Sequence, residues 1–531
     1  MQASARGERV PAGLRFGSVG LGAVFVVPIG YLLVRNLGEG FAGVFERDAV
    51  APLGRTLALA TTVSCTTSVV GTMLAWLVVR TDLPGRRFWR LVAPLPLVVP
   101  SFVGAFCFLA AFTDGGLVER YVLSPLGIDA SWRIEGFGWS VLVLTLFTYP
   151  YVYLPVAARL AALPRSIEES ARVLGRTPRR TFVEVVLPQV KGAIVAGALL
   201  VFLYSLSDFG AVQLLRYDTL TRSIYAATQS FDERSAFGSS LLLAAAAIAV
   251  VVGERRWSER SGRREAHGVG RDPVRYRLGR GRLPAAGAVG GVLTAALFAP
   301  VAVLVQWTVR GIVNGTDLHA ERLGPATLHS AQYGVVGAAI AVVLVLPAAY
   351  LTVRYPTSWW SRVVNAMITS AFALPGLVLG FAFVNVALAD RVPELLYQST
   401  TLLIVAYVVH FGVQALRANQ VAVGGVPPRL GEAARSLGAR PLERMWRIDL
   451  PLMRSGLAAG GGLVMLSIMK ELPVTLLLHP SETDTLTIQI FSATDSAFYA
   501  QAGLFALVLV ALSATLTWFV TIRPLDRDGR L

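Results

Sequence analysis

Long apolar segments alternate with short polar loops along almost the whole chain of 531 residues. A helix needs about 20 predominantly apolar residues to cross the hydrocarbon of a bilayer. Windows of that length predict six spans on each side of a polar stretch near residue 265, at about 14–35, 56–79, 89–112, 138–160, 191–215, 237–253, 284–309, 330–353, 363–388, 399–418, 454–478 and 501–522. The pattern therefore predicts an all-α, polytopic membrane protein with about 12 transmembrane helices.

The two sets of six spans predict three regions. The first half covers residues 1–253 and the second covers residues 284–531, and residues 254–283 between them contain ten Arg and several Gly. This composition favours a cytoplasmic linker over an amphipathic helix lying on anionic lipid. Because six spans return a chain to its starting side, the halves are expected to be parallel repeats. The first apolar run is interpreted as a retained span and not a cleaved signal peptide.

Composition and charge support the membrane assignment and indicate an orientation. Apolar residues make up 54% and charged residues 15% of the chain, and the mean hydropathy is +0.59. The net charge of +15 comes from 48 Arg and Lys, of which only two are Lys. With a cytoplasmic N-terminus, 36 of these 48 residues lie inside and 11 outside, as the positive-inside rule requires. The protein is therefore expected in the inner or plasma membrane, with both termini in the cytoplasm. Because the Arg residues are divided among short loops, nucleic-acid binding is not expected.

One polar loop occurs twice. The sequence ESARVLGRTPRRTFVEVVLP spans residues 169–188, and EAARSLGARPLERMWRIDLP spans residues 432–451, at a constant offset of 263. Eight positions are identical without a gap: Glu169, Ala171, Arg172, Leu174, Gly175, Pro178, Leu187 and Pro188. The charge distribution places both copies in cytoplasmic loops, which cover residues 161–190 and 419–453.

The first copy predicts two short helices. Ser166 and Glu169 have the spacing of a capping box, so a helix is expected to begin at about Ser166. Gly175 can adopt the backbone conformation that ends a helix, and Pro178 is suited to the first turn of the next one. In the second copy, Pro427 and Pro428 replace the Ser cap.

The second copy contains Glu-Ala-Ala, three residues, Gly, nine residues and Ile-x-Leu-Pro. This pattern resembles the signature of permease subunits of binding-protein-dependent ABC importers, and the two sets of six spans resemble their fused, two-permease form. The first copy differs in Ser170 and Val185, which replace the middle Ala and the Ile. The resemblance implies that a helix of each loop docks in a groove of an ATPase subunit. It assigns the coupling to Glu169, Ala171, Gly175, Leu187, Pro188, Glu432, Ala433, Ala434, Gly438, Leu450 and Pro451.

The chain is not expected to be an enzyme. A phosphate-binding loop of the Walker type needs Gly-Lys followed by Ser or Thr, and neither Lys191 nor Lys470 has these neighbours. The resemblance therefore implies a separate ABC ATPase, expected as a homodimer, and an extracytoplasmic solute-binding protein as partners, together with membrane lipid. No cofactor is expected.

Ionisable residues occur in the predicted fifth span of each half. Asp208 and Glu471 are equivalent at the offset of 263, and Lys470 precedes Glu471. A charge inside a span usually faces a cavity or a partner. These three residues are therefore candidates for lining the transport pathway, and a structural ion pair between the halves is an equally weighted alternative. A second short repeat, Asp-Thr-Leu-Thr, follows each of these spans at residues 218–221 and 484–487.

The sequence leaves alternatives for the substrate and for the class of transporter. The phrase SLSDFGAVQLLRYDTLTRSIY, with KELPVTLLL in the second half, resembles the ferric-iron branch of these permeases most, but thiamine, phosphonate and polyamine permeases share much of it. The five His have no ligand spacing, so no metal site is expected. An ion-coupled secondary transporter with two parallel six-span halves is the alternative of another class. The paired cytoplasmic loops favour the importer.

Overall fold

A computed structural model of the chain describes residues 10–38, 47–128, 133–260, 275–371, 373–389 and 393–519. β-Pairing within these ranges is an isolated bridge between Thr81 and Tyr276. The α-helices are α1 (Ala12–Gly38), α2 (Arg47–Arg80), α3 (Arg86–Val92), α4 (Ser101–Phe112), α5 (Phe137–Thr148), α6 (Pro150–Ala162), α7 (Arg165–Val173), α8 (Pro178–Thr181), α9 (Leu187–Ser207), α10 (Gly210–Leu214), α11 (Leu220–Gln229), α12 (Glu233–Arg260), α13 (Arg282–Leu293), α14 (Ala299–Val313), α15 (Ala320–Arg354), α16 (Trp359–Ala371), α17 (Gly376–Ala387), α18 (Thr400–Gly424), α19 (Pro428–Ser436), α20 (Pro441–Arg444), α21 (Leu450–Met469), α22 (Pro473–Leu478), α23 (Leu486–Asp495) and α24 (Tyr499–Thr517).

Short helical turns of other types complete the secondary structure. The 3₁₀ turns are Leu95–Val98, Ser124–Leu126, Gly279–Gly281 and Glu394–Leu396. The π-helical turns in the described residues before α24 are Glu119–Leu123, Phe182–Val186, Thr294–Phe298 and Met445–Asp449. Each of these four π turns ends two residues before a proline. Proline lacks the N–H of a regular α-helical hydrogen bond, and its ring collides with the carbonyl four residues earlier, so a wider turn relieves the conflict.

The apolar helices confirm the predicted fold class. Among the described residues, nine helices are long and apolar enough to cross a membrane, and the number rises to 12 if each of three bent pairs is one span. Every predicted span overlaps one of these helices or pairs over most of its length. The bent pairs are Arg86–Val98 with Ser101–Phe112 (95°), Phe137–Thr148 with Pro150–Ala162 (40°), and Trp359–Ala371 with Gly376–Ala387 (98°).

The chain divides into two compact units that do not follow chain order. Unit 1 consists of Met1–Gly43, Ala320–Gln489 and Ala511–Leu531. Unit 2 consists of Val44–His319 and Ile490–Val510. The first helix, α1, is therefore grouped with helices encoded after residue 319. The sequence pattern did not indicate this exchange of terminal segments.

Unit 2 is built around α2, α6 and α9, which pack against one another. A Cβ at Gly71 of α2 would lie 2.9 Å from the Tyr149 carbonyl oxygen, so only glycine permits this approach of α2 to α6. Helices α10 and α14 pack against α4. The Trp307 indole N–H donates to the Ala110 carbonyl at the end of α4 over 3.0 Å.

Unit 1 repeats this arrangement with α15, α18 and α21. Helix α1 packs against α15, α16 and α17. The Phe25 ring of α1 fills the space beside Gly412 of α18, where a Cβ would lie 2.3 Å from the ring. The Tyr31 hydroxyl donates to the Asn385 carbonyl over 3.2 Å. Buried aromatic packing and this hydrogen bond hold α1 in the unit.

Two sequence predictions need adjustment. The predicted fifth spans, near 191–215 and 454–478, are not continuous helices, because α9 ends at Ser207 and α21 at Met469 before a short helix resumes. The predicted linker at 254–283 begins as the last turns of α12, and residues 261–274 lie outside the described residues. The C-terminal residues 520–531, which carry the charges predicted to be cytoplasmic, also lie outside them.

Candidate coupling loops and broken fifth spans

The first repeated loop begins with α7. Pro164 is its N-cap, with φ −61° and ψ 136°, and no side chain caps the helix. The predicted capping box is therefore wrong. Pro164 already has the extended backbone of an N-cap residue, so the helix starts at Arg165 and Ser166 lies inside its first turn. The second loop begins in the same way, with Pro427 as the N-cap of α19.

Glycine ends both loop helices in the left-handed conformation, as the sequence predicted. Gly175 has φ +78° and Gly438 has φ +80°. The hydrogen bonds form a Schellman motif in each copy, with a C″ to C3 and a C′ to C2 bond. These bonds are Arg176 N–H to Ala171 C=O (3.2 Å), Gly175 N–H to Arg172 C=O (3.0 Å), Ala439 N–H to Ala434 C=O (3.0 Å) and Gly438 N–H to Arg435 C=O (3.0 Å).

A π turn and a proline connect each loop to the next long helix. Pro178 begins α8 as predicted, and the π turn Phe182–Val186 leads into α9 with Pro188 in its first turn. The second copy has the π turn Met445–Asp449 before α21 and Pro451. The two π turns are equivalent at the offset of 263. Because both copies have the same spacing between the π turn and the proline, the two loops connect to their long helices in the same way.

Each loop exposes a large apolar side chain beside its glycine. Leu174 is 79% exposed and Leu437 is 87% exposed, and they occupy equivalent positions. Of the residues assigned to coupling, Ala171 and Ala434 are buried beneath the loop helix. Leu187 and Leu450 are partly buried, whereas Glu169, Gly175, Pro188, Glu432, Ala433, Gly438 and Pro451 are exposed. Each copy therefore presents the same apolar side chain immediately before its left-handed glycine.

An ion pair that the sequence analysis missed anchors the first loop. Glu168 of α7 pairs with Arg80 at the end of α2 at 2.6 Å, and the two side chains are 2% and 0% exposed. The Tyr276 hydroxyl donates to the second Glu168 oxygen over 2.6 Å. The neighbouring Glu169, which the motif highlights, faces solvent. A second acid next to Glu169 was the available sequence signal, but Arg80 and Tyr276 are remote from Glu168 in the sequence.

The second loop has a different anchor. Arg444 pairs with the buried Asp449 at 3.2 Å and donates to the Tyr350 hydroxyl of α15 over 2.8 Å. Gly431 is the equivalent of Glu168, and a Cβ there would lie 2.6 Å from the Arg444 guanidinium carbon. The guanidinium thus occupies the space that the Glu168 carboxylate occupies in the first loop. The two loops share their backbone but not their ionic contacts.

Asp208 caps the broken fifth span of unit 2. It is the first residue after α9, and its carboxylate accepts hydrogen bonds from the Ser101 hydroxyl (2.5 Å) and the Ala211 backbone N–H (3.0 Å). The Tyr204 hydroxyl donates to Ser101 over 2.9 Å. Charged hydrogen bonds of this kind satisfy the first N–H groups of α10.

Glu471 has the corresponding place in unit 1. Its carboxylate accepts from the Val474 N–H over 3.0 Å and lies 3.9 Å from His410 Nε2. Lys470, which precedes it, is the partly buried C-cap of α21. The pathway role that the sequence suggests for Asp208, Lys470 and Glu471 stays a prediction.

The Asp-Thr-Leu-Thr repeat, which follows each broken span, forms hydrogen bonds to the residues at the break. Thr221 donates to the Asp208 carbonyl (2.8 Å), and Thr487 donates to the Glu471 carbonyl (3.1 Å). The backbone N–H of the repeat's leucine donates to a hydroxyl on a long helix of the same unit. Leu220 donates to Thr56 of α2 in unit 2, and Leu486 donates to Ser330 of α15 in unit 1. The repeat therefore supplies hydrogen-bond donors to carbonyls that the helix break leaves without helical partners. Among the described residues, no group of three or more His, Cys, Asp or Glu could hold a metal ion.

Comparison with known proteins matches both halves of the chain to one family. The family described as "Binding-protein-dependent transport system inner membrane component" matches residues 67–254 and again residues 341–523. These two matches together cover more than half of the 531 residues.

The curated relatives align with either nearly the whole chain or about half of it. The Fe(3+)-transport system permease protein FbpB 2 of Haemophilus influenzae is 29% identical over 520 residues, which are 95% of this chain and 97% of that protein. The ferric transport system permease protein FbpB of Actinobacillus pleuropneumoniae is 23% identical over 92% of this chain and 72% of its own length. The sulfate transport system permease protein CysT of Escherichia coli is 27% identical over 45% of this chain and 89% of its own length.

The doubled match, the apolar helices and the paired loops lead to one assignment. The chain belongs to the inner membrane components of binding-protein-dependent transport systems, as a fused permease that carries two copies of the family's domain.

Proposed function

We propose that this chain is the membrane permease of an ATP-driven importer that passes ferric iron from an external binding protein to the cytoplasm. Two relatives named for ferric transport align with 95% and 92% of the chain, so the fused architecture is shared with them. The sulfate relative aligns with 45% of the chain. Iron is here the cargo of the transporter, and the family membership disfavours an ion-coupled secondary transporter.

One observation carries the ATP-driven mechanism. Leu174 and Leu437 project from equivalent Schellman turns in the two repeats, and the repetition of an exposed leucine at the same point of both turns supports one kind of partner that contacts both copies. We assign this partner as a separate ABC ATPase. A homodimeric ATPase offers two identical grooves, which suits two loops with the same backbone. Closure of the ATPase dimer would move α7 and α19, and the π turns would pass this motion to α9 and α21.

The breaks in the fifth spans are the proposed site of transport control. Because α9 and α21 end at Ser207 and Met469, movement of these helices displaces Asp208 and Glu471 at their ends. These residues and Lys470 are our candidates for the pathway lining. Replacement of both acids by amides tests this role. Intact assembly with lost uptake supports it, whereas collapse of the complex indicates a purely structural role.

Reconstitution tests the proposal as a whole. The chain is purified with the ATPase that accompanies it, placed in vesicles and supplied with its binding protein and radioactive ferric iron. We expect uptake that requires ATP on the side of the coupling loops. Competition by thiamine, phosphonate, a polyamine or sulfate would instead identify the substrate as one of these solutes. Uptake driven by a proton or sodium gradient without ATP would contradict the importer assignment.

A further inference from the structure

The C-terminal end of the inter-half linker binds to the cytoplasmic end of α2. Tyr276 donates its backbone N–H to the Arg80 carbonyl over 2.8 Å, and its carbonyl accepts from the Asp82 N–H over 3.2 Å. The Leu278 N–H donates to the Asp82 carboxylate over 2.9 Å, and Arg282 lies 3.6 Å from the same side chain. This is the one isolated β-bridge in the described ranges, so the end of the linker is fixed at a definite place.

The Tyr276 side chain reaches the first coupling loop from this bridge. Its hydroxyl donates to Glu168 of α7 over 2.6 Å. Its ring lies against Trp76, with centroids 5.2 Å apart, and Trp76 contacts Phe182 at 4.4 Å. Phe182 begins the π turn that leads into α9. Tyr276 therefore contacts the entry of the loop directly and its exit through one tryptophan.

The charge arrangement around Glu168 depends on this hydroxyl. A buried ion pair repays its desolvation only when further hydrogen bonds satisfy its remaining polar atoms. Arg80 faces one Glu168 oxygen and Tyr276 faces the other. Burial and the adjacent Glu168 carboxylate raise the pKa of Tyr276 above its ordinary value, so the phenol stays protonated and donates at physiological pH.

The second coupling loop is held without such a contribution. Its anchor consists of Arg444 and Asp449 from the loop itself and Tyr350 from α15. All three residues lie within 99 positions of one another on the same side of the linker. The two loops differ in this respect, although their backbones match.

We propose that Tyr276 is a positioning residue of the first coupling loop, and that the C-terminal end of the linker thereby sets the docking orientation of α7. The effect on α7 is structural, and its consequence for transport rests on the proposed function. The tyrosine holds Glu168 and Arg80 together beneath α7, so the first loop is rigid only while the far end of the linker is in place. The loop of the first half thus requires a linker residue that lies 108 positions away in the sequence.

Amide hydrogen exchange on the complete chain in lipid nanodiscs tests the positioning directly. The variant is Tyr276→Phe, which removes only the hydroxyl, and the matched control is Tyr121→Phe, at a tyrosine that is 64% exposed. A lost hydrogen bond to a charged group corresponds to about tenfold faster exchange or more. We expect this acceleration in α7 of Tyr276→Phe and unchanged exchange in α19 of the same sample. Equal exchange of α7 in Tyr276→Phe and wild type would overturn the proposal.

Transport per ATP hydrolysed tests the consequence. In reconstituted vesicles we expect Tyr276→Phe to assemble with the ATPase and to transport several-fold less substrate per ATP, while Tyr121→Phe matches the wild type. Glu168→Gln should reproduce the defect, and combining it with Tyr276→Phe should add little. A wild-type ratio in Tyr276→Phe would refute the transport consequence. If the wild type shows no ATP-dependent uptake, the proposed function fails, and the exchange result still decides the positioning role.

Discussion

Ser101 donates a hydrogen bond to Asp208 over 2.5 Å, and this contact joins the second arm of a bent span to the break in the fifth span. In unit 1, the corresponding helix α17 begins with Gly376, and the corresponding acid is the longer Glu471. A Cβ at Gly376 would lie 2.9 Å from the Glu471 carboxylate. The two units therefore fill one position with complementary pairs, serine with aspartate and glycine with glutamate.

This complementarity predicts that Gly376→Ser and Glu471→Asp compensate for each other. Gly376→Ser alone overpacks the site, which typically costs about 1–3 kcal/mol. Glu471→Asp alone shortens the side chain that accepts from Val474. The double variant restores the arrangement of unit 2, and we expect a favourable coupling of about 0.5–3 kcal/mol in detergent unfolding.

The control for this cycle is Gly380→Ser on the same helix. A Cβ at Gly380 would meet the Leu477 side chain at 3.1 Å and the Val474 Cα at 3.4 Å, so its nearest neighbours differ from those of Gly376. Its effect should add to that of Glu471→Asp without coupling. Additive effects in the Gly376 cycle would show that the two residues are independent.

Gly175→Val with Gly438→Val is expected to abolish most ATP-dependent uptake while the spans stay folded. Both glycines have positive φ and open space around a Cβ, so the cost arises from the backbone. The left-handed conformation costs a substituted residue about 1–2 kcal/mol. The loop helix should then end differently and misplace the exposed leucine.

Uptake and ATPase rates in vesicles measure this outcome. Gly192→Val is the matched control, because Gly192 lies in α9 with open space and no positive φ. It should retain near-normal uptake. Normal uptake in the double glycine variant would remove the basis for assigning the loops to coupling.

Asp449→Ala is expected to loosen the second loop strongly. It leaves the Arg444 guanidinium without its carboxylate partner in a largely buried site, and breaking a buried pair costs about 3–5 kcal/mol. Glu443→Gln is the control, since Glu443 pairs with Arg447 on the surface and such pairs contribute about 0.2–1 kcal/mol. Amide exchange in α19 should become faster in Asp449→Ala and stay unchanged in Glu443→Gln. Similar exchange in both would indicate that Arg444 is not held by Asp449.

Pro451→Ala is expected to make the segment between the second loop and α21 more regularly helical and to lower uptake. Alanine restores a helical N–H, so the π turn Met445–Asp449 can become α-helical, which stabilises the segment by up to about 3 kcal/mol. The loop then rotates by roughly 100° relative to α21, the angle of one helical residue. Uptake should fall although the protein is more stable. Pro428→Ala, at the first turn of α19 where proline fits, should change neither property.

The spans and the loop turns were predictable because each depends on local pattern. Apolar length defines a span, and the glycine position at 175 and 438 defines a helix end. The bends in the third spans had a signal as well, since Pro100 and Pro375 precede their second arms. Hydropathy averages over such prolines, so it predicts continuous helices where the spans are broken.

Partners remote in sequence were not predictable. Glu168 is separated from Tyr276 by 108 residues, and only the folded arrangement of α2, α7 and the linker end brings them together. The motif directed attention to the exposed Glu169 because repeat identity favours positions that both copies share. The anchors differ between copies, so comparison of the repeats hides them.

The place of α1 in unit 1 has a consequence for biogenesis. The Tyr31 hydroxyl and the Asn385 carbonyl are 354 residues apart in the chain. At about 5–20 residues per second, translation of that interval takes on the order of 20–70 s. The first helix is made before its native neighbours α15 to α17, so lipid or insertion machinery must shelter it until they emerge. Unit 1 therefore cannot be completed until the second half of the chain is made, even though it contains α1.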